Sequence, residues 1–182
     1  IFVFNLQGLQ GAMLQMINHG ITTGALFLCI GMIYERNHSR ELAHATGLGP
    51  HMPWFATFVT LFSLSAFAFP GTNSFIGEFL VLAGTFAHKP FLALAAIPGA
   101  VLAAAYMLRM LQKIIWGGVN NPDQSGMKDL YLREILVLAP LLLFVFWIGL
   151  GPQPFLDYMN PTLNELLRQL HEWQQGQQLT LN

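Results

Sequence analysis

The chain has 182 residues, 54% of them hydrophobic and 9% charged, with a formal net charge of −1 and a mean hydropathy of +0.50. Soluble domains carry about 25% charged residues, so this composition excludes an ordinary soluble globule and points to a protein that crosses a bilayer several times. The near-zero net charge offers no basic face for nucleic acid, and the single cysteine, Cys29, rules out an intramolecular disulfide and a thiolate metal cluster.

The chain opens Ile-Phe-Val-Phe, with no initiator Met and no basic start. We therefore expect the C-terminal piece of a longer protein rather than a signal peptide, which needs a charged start and a cleavage site. Asn5 to Gly11 is polar and rich in Gly and Gln, and reads as a loop or re-entrant connection. Ala12 to Tyr34 is the first span. Gln15, His19, Thr22 and Thr23 fall at helical spacing and share a face, and Gly20 with Gly24 forms a small-xxx-small pair suited to close helix approach. Glu35 to His51 is a charged loop carrying Arg36, His38, Arg40, Glu41 and His44.

Pro53 to Phe86 is too long and too interrupted for one simple span, since a spanning helix takes roughly 20 residues. At its centre stands Phe69-Pro70-Gly71-Thr72-Asn73-Ser74. Pro70 removes a backbone donor and Gly71 frees the chain to bend. Two half-helices follow, Pro53 to Phe69 and Phe75 to Phe86, meeting at mid-membrane depth. Broken backbone at that depth is tolerated only where protein buries it or a wet cavity faces it. After a short turn at Ala87 to Pro90, Phe91 to Ile115 is the third span, with Pro98 inside it. Gly117 to Met127 is a loop by composition, and Leu130 to Leu150 is the fourth span, with Pro140 as a kink. In the tail, Asn160 suits an N-cap and Pro161 a first helical residue. Leu163, Leu166, Leu167, Leu170 and Trp173 then recur on one face, giving an amphipathic helix that lies along the membrane surface.

The predicted fold is all-α: a polytopic helical bundle of four spans, one broken mid-membrane, within residues 1–151, then a surface helix and tail over 152–182. Arg36, Arg40, Arg109, Lys113, Lys128 and Arg133 lie on one side, against Lys89 and Arg168 on the other. Positive charge marks the cytoplasmic side, so the tail helix falls on the outer face.

Glu78 is the one acid or base between Met52 and His88. A carboxylate at membrane depth costs about 2.5–3.5 kcal/mol on insertion scales and is a functional candidate by default. Burial favours its neutral form, while the N-terminus of the second half-helix favours the anion. A group pulled both ways can load and release a proton. The plainer alternative is a helix cap or a static ion pair. His19 is either a proton relay, as imidazole suits, or a satisfied structural group. Arg109 and Lys113 snorkel, and the loop histidines fit no standard metal spacing.

Gln15-Met16-Ile17-Asn18-His19-Gly20, Tyr34-Glu35-Arg36 and the string Phe69-Pro70-Gly71-Thr72-Asn73-Ser74-Phe75-Ile76-Gly77-Glu78-Phe79 resemble the antiporter-like membrane subunits of respiratory complex I. The resemblance covers essentially the whole chain. Many members carry lysine at the key position of the broken helix, so glutamate selects one branch. The resemblance implies the last four spans of a longer subunit, with a C-terminal helix on the periplasmic face of a bacterial inner membrane. It implies proton translocation through Glu78 and His19, with Pro70 and Gly71 at the helix break and Gln15, Thr22, Thr72 and Asn73 as supporting polar groups. It further implies no cofactor in this part, with NAD, FMN, iron-sulfur clusters and quinone elsewhere in the complex. The partners implied are other membrane subunits and the lipid bilayer, with no nucleic acid. A cation/proton antiporter or membrane-hydrogenase subunit, and a purely structural scaffold, are the alternatives.

Overall fold

A computed structural model describes residues 4–39, 41, 45–118 and 127–180, the last five by backbone only. Arg40, His44 and most of the Gly117 to Met127 loop lie outside these residues. Six helices follow in order: α1 (Leu6–Asn37), α2 (Pro53–Ala66), α3 (Asn73–His88), α4 (Pro90–Trp116), α5 (Leu132–Leu150) and α6 (Gln153–Thr180). Helices α1, α4 and α5 are each long and apolar enough to cross a membrane, and α2 is a shorter apolar helix. The fold is the expected all-α bundle.

Helix α1 starts six residues earlier than the sequence suggested, and Asn5 to Gly11 is neither a loop nor re-entrant. Asn5 caps the helix by accepting from Gly8 N at 2.7 Å, and its amide also donates to Gly84 O at 2.7 Å. The glycines there serve close packing. A Cβ on Gly11 would lie 2.6 Å from Val81 N, and one on Gly84 would lie 2.6 Å from Gly8 N. The backbones of α1 and α3 are therefore nearly in contact. Gly20 and Gly24, expected to let another helix approach closely, meet no described atom within 4 Å. They sit on the outward side of α1.

Along α1 the partners run backwards through the chain. Asn5 meets Gly84, Asn18 donates to Asn73 O at 2.8 Å, and Thr22 bonds Ser65 at 2.8 Å. Helices α3 and α2 thus line up end to end along one antiparallel neighbour. They form a single broken span beside an unbroken helix of about 48 Å.

The break begins earlier than Phe69 and ends before Phe75. Phe69 N reaches back to Leu64 O and Ala68 N to Ser65 O, with Ala68 left-handed at φ 57°. This is a Schellman cap, with alanine where glycine is usual. Gly71 then takes φ 92°, which only glycine adopts cheaply. Thr72 N and Oγ1 both donate to Phe69 O, at 3.1 and 2.7 Å. Gly149 of α5 packs so tightly on this turn that a Cβ would collide with Gly71 O.

Two polar fastenings close the end of the bundle where α1 stops and α2 and α5 start. Arg36 forms a bidentate pair with Glu134, at 2.9 and 2.7 Å, with side-chain exposures of 10% and 4%. Its remaining donors reach Met32 O, Lys128 O and Asp129 O. Asp129 accepts from Trp54 N and Phe55 N at 2.8 and 3.1 Å, so it caps α2 from another part of the chain. At the same end, Leu48 N donates to Ile114 O at 2.8 Å and Gly49 N to Ile115 O at 3.1 Å, satisfying terminal carbonyls of α4.

Helix α6 begins at Gln153, so Asn160 and Pro161 are interior rather than a cap. Asn160 Oδ1 instead accepts from Gln10 Nε2 at 2.5 Å, and Met159 and Leu163 pack with Leu14 and Ile148. These contacts tether α6 to the start of α1. Beyond them the apolar face is open, with Trp173 62% exposed. Arg168 pairs with Glu165 and Glu172 on the polar face and draws the Glu165 carboxyl down to about 2, although exposed pairs of this kind add little stability.

Two stability outcomes follow. Arg36→Met leaves Glu134 buried without its partner, and thermal unfolding of the detergent-solubilised protein should show a loss of about 3–5 kcal/mol; Arg36→Met with Glu134→Leu should recover most of it. Ala68→Gly removes a left-handed alanine, and the same measurement should show a gain of about 1 kcal/mol.

Candidate functional site

Glu78 stands on the second turn of α3, five residues past the break. It is half-buried and faces a cleft of about 570 Å³ between α1, α3 and α4. From α1 come Ala12, Gln15, Met16 and His19; from α3 Glu78, Val81 and Leu82; from α4 Ala96, Gly99, Ala100 and Ala103. Each set recurs at three- and four-residue spacing, so each helix offers one face. The small residues of α4 leave room for the longer polar groups opposite. No Lys or Arg lines this cleft, and among the described residues Glu78 has no ion pair.

His19 lies on the same wall of α1 as Gln15. Its Nδ1 is 3.2 Å from Thr23 Oγ1, one turn on, and the ring is exposed in this chain. The expected polar face of α1 is therefore divided. Gln15 and His19 turn to the cleft, Thr23 supports His19, and Thr22 turns inward to the break. There, Thr22 Oγ1 bonds Ser65 Oγ and reaches Asn73 Oδ1 at 3.5 Å, while Ser65 Oγ donates to Asn73 Oδ1 at 2.5 Å. Thr72 belongs to the turn itself. Pro70 is exposed and Gly71 half-buried, so both shape the break without facing the cleft.

Asn18 was not singled out from the sequence. It is fully buried, and its amide donates to Asn73 O at 2.8 Å and to Gln15 Oε1 at 3.4 Å. It thereby links the cleft wall to the break. Its position three after Gln15 and four before Thr22 was the available signal. Ser63 and Ser65, two hydroxyls in an apolar run, were also passed over; both are fully buried. Gly77 makes the arrangement possible. A Cβ there would collide with Gln15 Oε1 and come within 3.1 Å of Asn18 Nδ2.

No three His, Cys, Asp or Glu side chains among the described residues are grouped so as to hold a metal ion. Chemically, the cleft offers one carboxylate, one imidazole and one amide in apolar surroundings. The carboxylate and the imidazole can hold and exchange a proton, and the amide can orient a hydrogen-bonded neighbour. They lack a nucleophile–base pair for group transfer.

Comparison with known proteins gives a consistent set of relatives. The family described as NADH:quinone oxidoreductase/Mrp antiporter, TM matches residues 1–103. NADH-ubiquinone oxidoreductase chain 4 of Prototheca wickerhamii is 42% identical over 161 residues, 88% of this chain and 31% of that protein. NADH-quinone oxidoreductase subunit M of Rhodobacter capsulatus is 37% identical over 171 residues, 94% of this chain and 33% of that protein. A chain of the structure titled respiratory complex I from Thermus thermophilus with bound NADH superposes with a TM-score of 0.85 at 29% identity, over 92% of this chain and 35% of that one. The chain spans about a third of the length of the curated relatives it matches.

Gly77→Ala tests whether the cleft wall and the break are packed as one unit. The added methyl must displace both Gln15 and Asn18. Thermal unfolding should show a loss of about 1–3 kcal/mol, the ordinary cost of overpacking.

Proposed function

The chain belongs to the NADH:quinone oxidoreductase/Mrp antiporter transmembrane family, and from that premise we propose that it is part of the proton-translocating membrane subunit M of an NADH-quinone oxidoreductase. The single observation that carries the mechanism is Glu78: half-buried, beside a helix break, without a described ion pair, in a cleft it shares with His19 and Gln15. Glu78 takes a proton from the cleft and releases it outward. His19, on the facing helix, passes the proton to it. Gln15 orders the wall between them. Thr22, Thr72 and Asn73 support the break, and Pro70 and Gly71 produce it.

Moving a charge against the membrane potential costs about 2.3 kcal/mol per 100 mV. The step is therefore driven, and the driving energy comes from NADH oxidation and quinone reduction in other subunits, with NAD, FMN, iron-sulfur clusters and quinone held there. This part takes no cofactor. Its partners are the other membrane subunits and lipid, and its compartment is a bacterial inner membrane. The cytoplasmic side is the end carrying Arg36, Arg109, Lys113, Lys128 and Arg133. Helix α6 lies on the opposite, periplasmic face, its open side with Leu166 and Trp173 against lipid or a neighbouring subunit.

A cation/proton antiporter subunit is the related alternative, and the relatives' names favour the oxidoreductase. A structural scaffold would hold its buried carboxylate in a static pair. The chain does have such a pair, but on Glu134, which leaves Glu78 available.

Glu78→Gln and Glu78→Asp, made in the full-length protein within the assembled complex, test the proton role. The rate of proton pumping should fall by about a hundredfold or more in Glu78→Gln, the range for losing a proton-transfer group. Glu78→Asp should retain a substantial share. Wild-type pumping in both variants would remove Glu78 from the pathway.

A further inference from the structure

Two side-chain atoms at the break have no hydrogen-bond partner among the described residues, Asn18 Oδ1 and Asn73 Nδ2; Ser63 Oγ, on another face of α2 from Ser65, is a third unmet atom. All three residues are 0% exposed. An unmet polar group in such a place costs about 1–3 kcal/mol, and native interiors leave few of them. These atoms are already sealed within this chain. A further span or a neighbouring subunit therefore cannot reach them, and only a molecule small enough to sit inside can.

The chemistry of the two amide atoms identifies that molecule. Asn18 Oδ1 is an acceptor and Asn73 Nδ2 a donor. The assignments are constrained: Asn18 Nδ2 is committed to Asn73 O, and Asn73 Oδ1 already accepts from Ser65 Oγ and Thr22 Oγ1, which leaves Nδ2 as the unmet end. Water answers an unmet donor and an unmet acceptor together. An alkali cation answers oxygens alone and is repelled by Nδ2. The two amides already touch through Asn18 Nδ2 and Asn73 O at 2.8 Å. Polar demand at this spot is raised further because no side chain caps α3, whose first residues, Asn73 and Ser74, are buried.

We propose that the break is a buried water-binding site held by Asn18 and Asn73. The water completes the hydrogen bonding of the two amide side chains that join α1 to the start of α3. It stands at the inner end of a polar line that begins at Gln15 in the cleft and continues through the Thr22–Ser65 hydroxyl pair. The site is independent of the proton role assigned to Glu78, because the unmet atoms require a partner whatever the cleft conducts.

The test is a high-resolution cryo-EM map of the full-length protein in its complex. A density peak within hydrogen-bond distance of both Asn18 Oδ1 and Asn73 Nδ2 is expected. It should be unchanged when sodium is exchanged for potassium, and it should persist in Glu78→Gln. In Asn18→Leu, which removes the acceptor, the peak should be lost while the Thr22–Ser65 contact remains. A dry site, in a map that resolves other buried waters, would overturn the proposal. So would a peak bound by oxygens alone whose strength follows the cation.

Discussion

A helix that stops inside a hydrocarbon layer exposes its last carbonyls and the first N–H groups of whatever follows, and no bulk water is present to meet them. The architecture is organised by that constraint. Helix α2 ends on a cap that turns its own carbonyls back into the chain, and Thr72 returns two bonds to Phe69 O. Asn18 then supplies a side-chain donor to the first carbonyl of α3. The donor comes from α1, which runs uninterrupted past both halves and serves as their splint. Gly8, Gly11, Gly77 and Gly84 let α1 come close enough to do so, and Gly149 lets α5 close the other side. The small residues and the amide belong to one solution: without close approach the Asn18 side chain would not reach.

Two glutamates show how the same residue type is put to different use by what surrounds it. Glu134 receives two bonds from Arg36 and one from Tyr131 N at 2.7 Å, and the guanidinium finds backbone carbonyls for its other donors. A charge matched so completely is fixed, and it locks the ends of α1 and α5 together. Glu78 has no Lys or Arg in its cleft and sits among four alanines, one glycine, one amide, one imidazole and three larger apolar side chains. Fixing Glu78 in the same way would have needed a lysine or arginine among eleven lining residues that include neither. The proton role proposed for Glu78 and the static role of Glu134 rest on that contrast among the described residues.

Much of this was legible in the sequence because breaks and buried charges are local signals. Pro70, Gly71 and Glu78 announced an interrupted span with one acid beside it. What failed were inferences in which tertiary packing overrides composition. Gly and Gln at the start of the chain read as a loop, yet the glycines were there for contact with α3. Gly20 and Gly24 fit a packing motif whose partner helix is not among the described ones; a spacing rule says that two positions share a face and not which neighbour the face meets. Asn160-Pro161 looked like a helix start, and α6 runs through it because Asn160 has a partner in Gln10. Arg36 looked like a loop charge because its partner, Glu134, is about a hundred residues away. Asn18 was overlooked beside His19, since an amide carries no charge to draw attention to it.

The distribution of rigidity then bears on where a proton carrier can work. Charged and backbone fastenings concentrate at the end formed by Arg36, Asp129, Glu134 and the Leu48 to Gly49 strap, and the tether through Gln10 and Asn160 holds the other. Between them the broken span is held by neutral hydroxyls and amides, each contributing about 1 kcal/mol. Such bonds can exchange partners without stranding a charge. In the proposed role, a carboxylate mounted one turn from that region would change its protonation without breaking a charged fastening. Placing Glu78 beside the end that carries Arg36 and Glu134 would couple each protonation change to the ion pair that stabilises the bundle, and the step would then compete with the fold.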